Sequence, residues 1–401
     1  MIDLPYLSDV TRKTPAKIIL LVVDGLGGLP HPDSGKSELE TAKTPNLDAL
    51  AGESACGLTT PVAPGITPGS GPGHMALFGY DPVKYLMGRG VLEALGIDVE
   101  LREGDVSARG NLCTVDAEGL LVDRRAGRIP TRESGPLVEQ LDTITVPGVE
   151  LSVFPVQDYR FVLVMRGDGL SERVGETDPQ VVGAAPLDAE ALSEESRKTA
   201  DAVNAFIAAA RDVLSGRDRA NMVLLRGFSM LPSLPAFGER YRLSPGAVAA
   251  YPMYRGLAKL VGMKVIPTGA TFDDELDTLE EHYGEHDFFF LHYKPADAAG
   301  EDGDFDAKVA ALEALDSRIP RLRALNADAL VVAGDHSTPA ILSSHSWHPV
   351  PLMVNSQSTK GDGVSCFSER ACAQGLLGRL SATNVMMLAL AHSGKLAKYG
   401  P

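Results

Sequence analysis

The run Lys17–Val23 (KIILLVV) is apolar at consecutive positions, not alternate ones. Rich in Leu and β-branched residues, it predicts a strand buried on both faces. It stops at Asp24-Gly25-Leu26-Gly27-Gly28, a sharp break at its carboxyl end. Further buried strands are predicted at Met222–Leu225, Lys264–Pro267, Asp287–His292, Ala329–Ala333 and Val350–Val354. Helical periodicity lies between them, as at Phe305–Leu325. Thr44–Leu50 opens a helix, a Gly/Pro-rich loop runs from Pro61 to Gly73, and His74–Phe78 begins another helix. This alternation predicts an α/β fold, one sheet with helices on both faces.

Between Tyr85 and Arg197 the texture changes. The stretch holds eleven Arg and no Lys, with short strand-like runs such as Tyr159–Met165. It reads as an inserted, smaller α+β domain over residues 86–205. Glu190–Leu214 looks helical and would lead the chain back to the core. That core then comprises residues 1–85 and 206–401.

Several polar residues end or follow the buried strands. Asp24 follows Leu20–Val23, Asp297 follows Asp287–His292 by a short loop, and Asp335-His336 follow Ala329–Ala333. In open α/β sheets ligands gather at the carboxyl ends of strands. Oxygen and imidazole ligands together suit Mn, Mg or Zn. His345 and His348 lie just downstream and are candidates to complete a metal shell. Ser70 sits among glycines in Gly69-Ser70-Gly71-Pro72-Gly73 near a helix start, where backbone N–H groups attract anions. A serine hydroxyl becomes a useful nucleophile once a metal or base lowers its pKa.

Charge bears on the partner. The net charge is −16, so the surface field repels nucleic acid and anionic lipid. An anionic substrate therefore needs a local cationic pocket. Arg109, Arg124, Arg125 and Arg128, close in sequence, could supply one, because guanidinium groups bind phosphate and carboxylate bidentately. No apolar run approaches a membrane span, and the polar stretch Met1 to Lys17 lacks the apolar region of a signal peptide. Cys56, Cys113, Cys366 and Cys372 have no metal-type spacing. A reducing cytoplasm is the expected location. Oligomeric state is left open.

Larger motifs join these residues: Val22-Val23-Asp24-Gly25, Pro68-Gly69-Ser70 with His74, and Phe78-Gly79-Tyr80-Asp81-Pro82. They continue with Ala108-Arg109-Gly110-Asn111, Asp123-Arg124-Arg125-Ala126-Gly127-Arg128 and Leu225-Arg226-Gly227. Lys294-Pro295-Ala296-Asp297 and Gly334-Asp335-His336-Ser337-Thr338-Pro339 complete the set. In these motifs the chain resembles, nearly end to end, the archaeal-type cofactor-independent (2,3-bisphosphoglycerate-independent) phosphoglycerate mutases of the alkaline phosphatase superfamily.

The resemblance implies an alkaline-phosphatase-like core with an insert that grips the glycerate end of a phosphorylated small molecule. It implies two divalent metal ions, Mn foremost with Mg, Co or Zn as alternatives, and no 2,3-bisphosphoglycerate. One metal would bind Asp24, Ser70, Asp335 and His336. The other would bind Asp297, Glu301 and His345. Glu301 stands where the family pattern has a histidine, and Trp347-His348 where it has a small residue and an Asp. His348 is therefore a candidate to restore an imidazole. Arg109, Asn111, Arg124, Arg125, Arg128 and Arg226 would bind substrate. Lys294 would contact the phosphoryl group, and Asp123 would orient an arginine or act as acid or base. The implied reaction converts 3-phosphoglycerate to 2-phosphoglycerate through phosphoserine at Ser70. The alternative on the same core is a metal-dependent phosphatase or phosphodiesterase, with water as acceptor.

Overall fold

The structure, a computed structural model, describes residues 7–85 and 87–400. The expectation about a signal peptide at Met1 to Lys17 falls partly outside them. Thirteen strands occur among the described residues. In chain order they are β1 (Ile18–Val23), β2 (Ala55–Thr60), β3 (Val106–Val115), β4 (Leu121–Asp123), β5 (Glu150–Pro155), β6 (Arg160–Arg166) and β7 (Met222–Ser229). Then follow β8 (Pro245–Val248), β9 (Lys264–Val265), β10 (Phe288–Tyr293), β11 (Ala329–Ala333), β12 (Val350–Ser356) and β13 (Gly378–Ser381). The chain forms two compact units, Met1–Leu86 with Leu234–Pro401, and Met87–Ser233.

The first unit is built on an eight-stranded sheet in the order β13-β2-β12-β11-β1-β10-β8-β9. Every residue of β1 is at most 1% exposed, which explains why its sequence is apolar at consecutive positions. β1 lies parallel to both β10 and β11. Val22 pairs with His292 on one side and with Ala333 on the other. This register brings three carboxyl ends level, so Asp24, Lys294 and Asp335 leave the sheet at one edge. β12 runs antiparallel to β11 and to β2. The single helical pattern over 305–325 divides into helices Phe305–Asp316 and Ile319–Ala324, with Pro320 in the first turn of the second. Proline lacks the N–H that would continue the first helix. No helix of the described residues is long and apolar enough to cross a membrane.

The second unit holds a five-stranded sheet in which β3 pairs antiparallel with β4, β6 and β7, and β6 with β5. Helix Arg197–Val213 buries Ala200, Val203, Phe206 and Ala210 in its core. Two expectations are corrected here. Met222–Leu225 belongs to this sheet, as part of β7, and not to the core sheet. The return to the first unit accordingly falls at 234 and not at 206. The physical reason is cross-strand pairing: β3, whose sequence VSARGNLCTV carries no clean alternation, needs β7 as a partner.

One buried acid in the first unit predicts a pH dependence. Glu275, on helix Phe272–His282, is 3% exposed. One carboxyl oxygen accepts from Ala250 N–H at 2.8 Å and the other has no partner. Burial pushes its pKa up from 4.5 to about 8. Between those values the folded chain holds a proton that the unfolded chain has released, so stability falls as pH rises through that window. Glu275→Gln should remove this slope. Urea unfolding at pH 5 and pH 8 is expected to show wild type losing roughly 3 kcal/mol more than the variant. Equal losses would contradict the assignment.

Candidate active site and metal centre

The level strand ends of the first unit gather Asp24, Asp297, Asp335 and His336, all with 0% exposure. Asp24 Oδ2 accepts from His292 Nε2 at 3.1 Å, from Lys294 Nζ at 3.0 Å and from the Tyr254 hydroxyl. Asp24 Oδ1 has no partner. Asp335 Oδ1 accepts from the backbone N–H of Gly25 at 3.2 Å and of His336 at 3.0 Å, while Oδ2 has no hydrogen-bond partner. Each carboxylate thus commits one oxygen and leaves the other free. Both free oxygens face His336 Nε2, at 3.3 Å from Asp24 and 3.1 Å from Asp335. Ser70 Oγ lies 3.1 Å from the same nitrogen.

The tautomer of His336 follows from its other nitrogen. Thr338 Oγ1 donates its proton to Asp297 Oδ1 at 2.7 Å. It must therefore accept from His336 Nδ1, 3.0 Å away. That leaves the Nε2 lone pair turned toward Ser70, Asp24 and Asp335. Gly25 makes this approach possible. Its φ of +66° is left-handed, and a Cβ there would come within 2.7 Å of Thr338 Oγ1 and 2.9 Å of Asp297 Cα.

A second group adjoins the first. His345 stacks on His336 with ring centroids 3.7 Å apart. Its Nδ1 donates to the carbonyl of Pro68 at 3.0 Å, which ties it to the loop leading to Ser70. Its Nε2 lies 3.6 Å from Asp297 Oδ1 and 3.5 Å from Glu301 Oε1. Asp297 and Glu301 are four apart on helix Pro295–Glu301 and so share a face. Lys294 reaches both Asp24 and Asp297.

Two ligand sets suited to a metal ion emerge: Asp24, Asp335 and His336, and Asp297, His336 and His345, with the donor atoms of each within 4.8 Å of one another. The residues fit a divalent cation, because buried carboxylate oxygens of Asp24 and Asp335 are aimed at one point without hydrogen-bond partners. The charges agree. Burial works against ionised Asp335, but His336 and His74 hold its pKa well below the usual carboxylate range. Burial also lowers the His336 pKa, and the carboxylates of Asp335, Asp24 and Asp297 more than reverse this, raising it. For Asp297, burial and the neighbouring Asp24 raise the pKa. Without a cation these acids draw a proton onto His336, and a divalent cation would take that proton's place at Nε2.

Ser70 is the first residue of helix Ser70–Leu77. A Cβ at Gly73 would sit 2.3 Å from the Asp335 carbonyl, so this helix rests directly on the ligand turn. Ser70 is thereby fixed beside the cluster, with the positive end of the helix dipole at its own position.

In the second unit β3 aligns Arg109 with Arg226 on β7, and Asn111 with Arg160 on β6. Cross-strand partners share a face, so one side of this sheet is rich in guanidinium groups. Arg109 bonds Glu93 at 3.0 Å and is nearly buried. Burial, with Arg226, Arg160 and Arg89 nearby, pulls its pKa down to about 10 despite Glu93. Such crowding of like charge favours an anion. Arg124 is held bidentately by buried Asp178, at 2.8 and 2.7 Å. Asp123 accepts from the N–H groups of Arg125 at 2.7 Å and Gly127 at 2.6 Å. Its carboxylate shapes the turn that presents exposed Arg125 and Arg128.

Comparison with known proteins identifies the family. Residues 51–219 match the family model described as 2,3-bisphosphoglycerate-independent phosphoglycerate mutase. A Thermus thermophilus protein named "Probable 2,3-bisphosphoglycerate-independent phosphoglycerate mutase" is 50% identical over 401 residues, 99% of each chain. The chain belongs to the 2,3-bisphosphoglycerate-independent phosphoglycerate mutase family. A Thermotoga maritima member is 50% identical over 397 residues, covering 98% of each chain. Among solved structures, a Pyrococcus horikoshii protein superposes with a TM-score of 0.83 at 27% identity, over 98% of this chain and 100% of that one. The cofactor-independent phosphoglycerate mutase of Thermoplasma acidophilum gives 0.70 at 29% identity, over 94% of this chain and 100% of that one.

The two departures from the family pattern fare differently. Glu301 stays beside His345, whose hydrogen bond is the main cause of its lowered pKa. His348 does not join the centre. Its Nδ1 lies 3.1 Å from Ser346 Oγ and its ring stacks on Trp347, so neither ligand group includes it. Sequence reasoning gave no site role to several residues that the structure places around Asp24 and Asp335, although His74 was part of the Ser70 motif. His292 is the one imidazole inside the buried FFFLHY strand, a signal that was available. Tyr254 stacks on His292 at 3.4 Å between centroids, and His74 Nδ1 lies 2.8 Å from the Ser70 carbonyl and 3.2 Å from Asp335 Oδ2. Arg89 and Arg160 stood unmarked among the eleven arginines of the insert.

Proposed function

We propose that the chain interconverts 3-phosphoglycerate and 2-phosphoglycerate, with Ser70 as the group that carries the phosphoryl between the two positions. The observation that carries this reading is the convergence of Ser70 Oγ with the free oxygens of Asp24 and Asp335 on His336 Nε2. A hydroxyl placed at the head of a helix and among metal-binding side chains is set up for phosphoryl transfer, not for general acid–base chemistry alone.

Asp24, Asp335 and His336 would hold one divalent cation beside Ser70, and Asp297, Glu301 and His345 the other. A divalent ion bound there supplies Lewis acidity, which lowers the pKa of a hydroxyl and neutralises phosphoryl charge. Ser70 Oγ attacks phosphorus in line, forming the phosphoserine ester as the bond to the glycerate oxygen breaks. Lys294, half-buried between Asp24 and Asp297, offers a positive charge to the transferring phosphoryl oxygens. The second glycerate hydroxyl then takes the phosphoryl from Ser70. Taken by itself, the arginine face of the second unit, Arg109, Arg124 and Arg226 with Asn111, and Arg125 and Arg128 on the turn shaped by Asp123, has the chemistry to bind carboxylate and phosphate groups. Retention of the glycerate against water separates a mutase from a hydrolase.

The test is direct. Phosphorus NMR of the protein with Mn²⁺ and 3-phosphoglycerate is expected to show 2-phosphoglycerate building to equilibrium without added bisphosphoglycerate. Free phosphate as the main product would overturn the mutase reading in favour of hydrolysis.

A further inference from the structure

Helix Phe305–Asp316 carries Lys308, whose side chain is completely buried. A buried ammonium is costly unless its protons find acceptors. Lys308 Nζ donates to the carbonyl of Gly27 at 3.0 Å and to that of Thr338 at 2.8 Å. These carbonyls belong to two turns that carry the candidate ligands. Gly27 lies three residues after Asp24, and Thr338 two after His336. Thr338 N–H donates to the same Gly27 carbonyl at 3.0 Å, and Ser337 makes isolated bridges to Leu26 and Gly27. The turns therefore meet through few backbone bonds, and the ammonium sits on their joint.

Two carboxylates, Glu38 buried and Glu369 half-buried, brace the joint from outside. Glu38 accepts from Ala340 N–H at 2.6 Å. Glu369 accepts from Gly28 N–H at 2.8 Å and from Ser37 Oγ at 2.6 Å. Each turn is thus held by Lys308 and by one acid. The consequence reaches the ligands through Thr338, whose hydroxyl fixes both the His336 tautomer and one oxygen of Asp297. A shift of the Thr338 backbone would move that hydroxyl and misdirect both groups.

We propose that Lys308 is a positioning residue of the metal centre: by joining the Gly27 and Thr338 carbonyls it holds Asp24 and His336 at the spacing a divalent cation needs. The inference rests on the metal centre assigned above. Its test is calorimetric titration of metal-free protein with Mn²⁺. Lys308→Met should raise the Mn²⁺ Kd at least tenfold. Lys395→Met is the control, because Lys395 is equally buried and donates to Thr14 O at 2.7 Å and Asp287 Oδ2 at 3.0 Å, at the amino end of β10. That variant should lose thermal stability and keep the wild-type Kd within twofold. Lys308→Gln, shorter and neutral but still a donor, should fold and weaken Mn²⁺ at least threefold, which keeps the test open if Lys308→Met does not fold. A wild-type Kd in Lys308→Met or Lys308→Gln, or an equal loss in Lys395→Met, would overturn the role of Lys308. Wild-type protein that takes up no Mn²⁺ would instead overturn the metal centre itself.

Discussion

Ser70→Ala is expected to lower kcat for phosphoglycerate interconversion by at least about 10⁴-fold, a barrier increase of about 5.5 kcal/mol. The size follows from the role. A hydroxyl that forms the covalent ester has no substitute in the site, since the remaining groups facing His336 Nε2 are the carboxylate oxygens of Asp24 and Asp335, assigned above to the metal. Binding should change little. Ser70 sits at the first residue of its helix, and alanine suits a helix interior or first turn. Mn²⁺ affinity should stay within about tenfold of wild type, because Asp24, Asp335 and His336 remain. Rapid-quench or coupled-assay kinetics read the first quantity and calorimetry the second. A variant that keeps one per cent of wild-type turnover would remove Ser70 from the chemistry.

Asp335→Asn should be nearly as severe by a different route. The amide preserves shape, and its oxygen can still accept from the N–H groups of Gly25 and His336. The free Oδ2, however, becomes an NH₂ donor pointed at His336 Nε2, 3.1 Å away, and at His74 Nδ1, 3.2 Å away. A metal-directed acceptor is replaced by a donor, and one negative charge leaves the cluster. Mn²⁺ affinity should fall at least about 100-fold, beyond the usual range for a supporting residue. Turnover at low Mn²⁺ should fall in parallel and recover in part at high Mn²⁺. Calorimetry together with a Mn²⁺ dependence of kcat would show this. Affinity within tenfold of wild type would exclude Asp335 from the first ligand set.

Much of the site was legible because buried strands advertise themselves. Continuous apolar runs such as IILLVV and ALVVA mark strands covered on both faces, and a polar residue at their carboxyl ends is conspicuous. Asp24 and Asp335-His336 were found in this way, and Asp297 from its place just beyond β10. His74 and Tyr254 carry no such signal. Each lies on a helix, and it takes the packed structure to bring the Tyr254 hydroxyl to Asp24 and His74 to Asp335. His348 shows the converse: proximity in sequence to His345 suggested a shared metal, but the two rings have different partners, Pro68 O for His345 and Ser346 Oγ for His348.

The insert repeats the lesson. A stretch with arginine and no lysine set the insert apart, and the pattern Asp123–Arg128 located one turn of it. Its edge was misplaced because β7 is apolar enough to pass for a core strand, and only pairing with β3 reveals where it belongs.

The sequence by itself determined the α/β class, the buried strands, the ligand-type residues at their ends and the concentration of arginine, since each depends on local composition and period. Tertiary structure alone decided the parallel register that levels three strand ends and the free oxygen on each of Asp24 and Asp335. It also decided the tautomer of His336 and the place of Lys308 between two turns. Those outcomes depend on contacts between separate elements, several of them hundreds of positions apart in the chain, which no local pattern encodes.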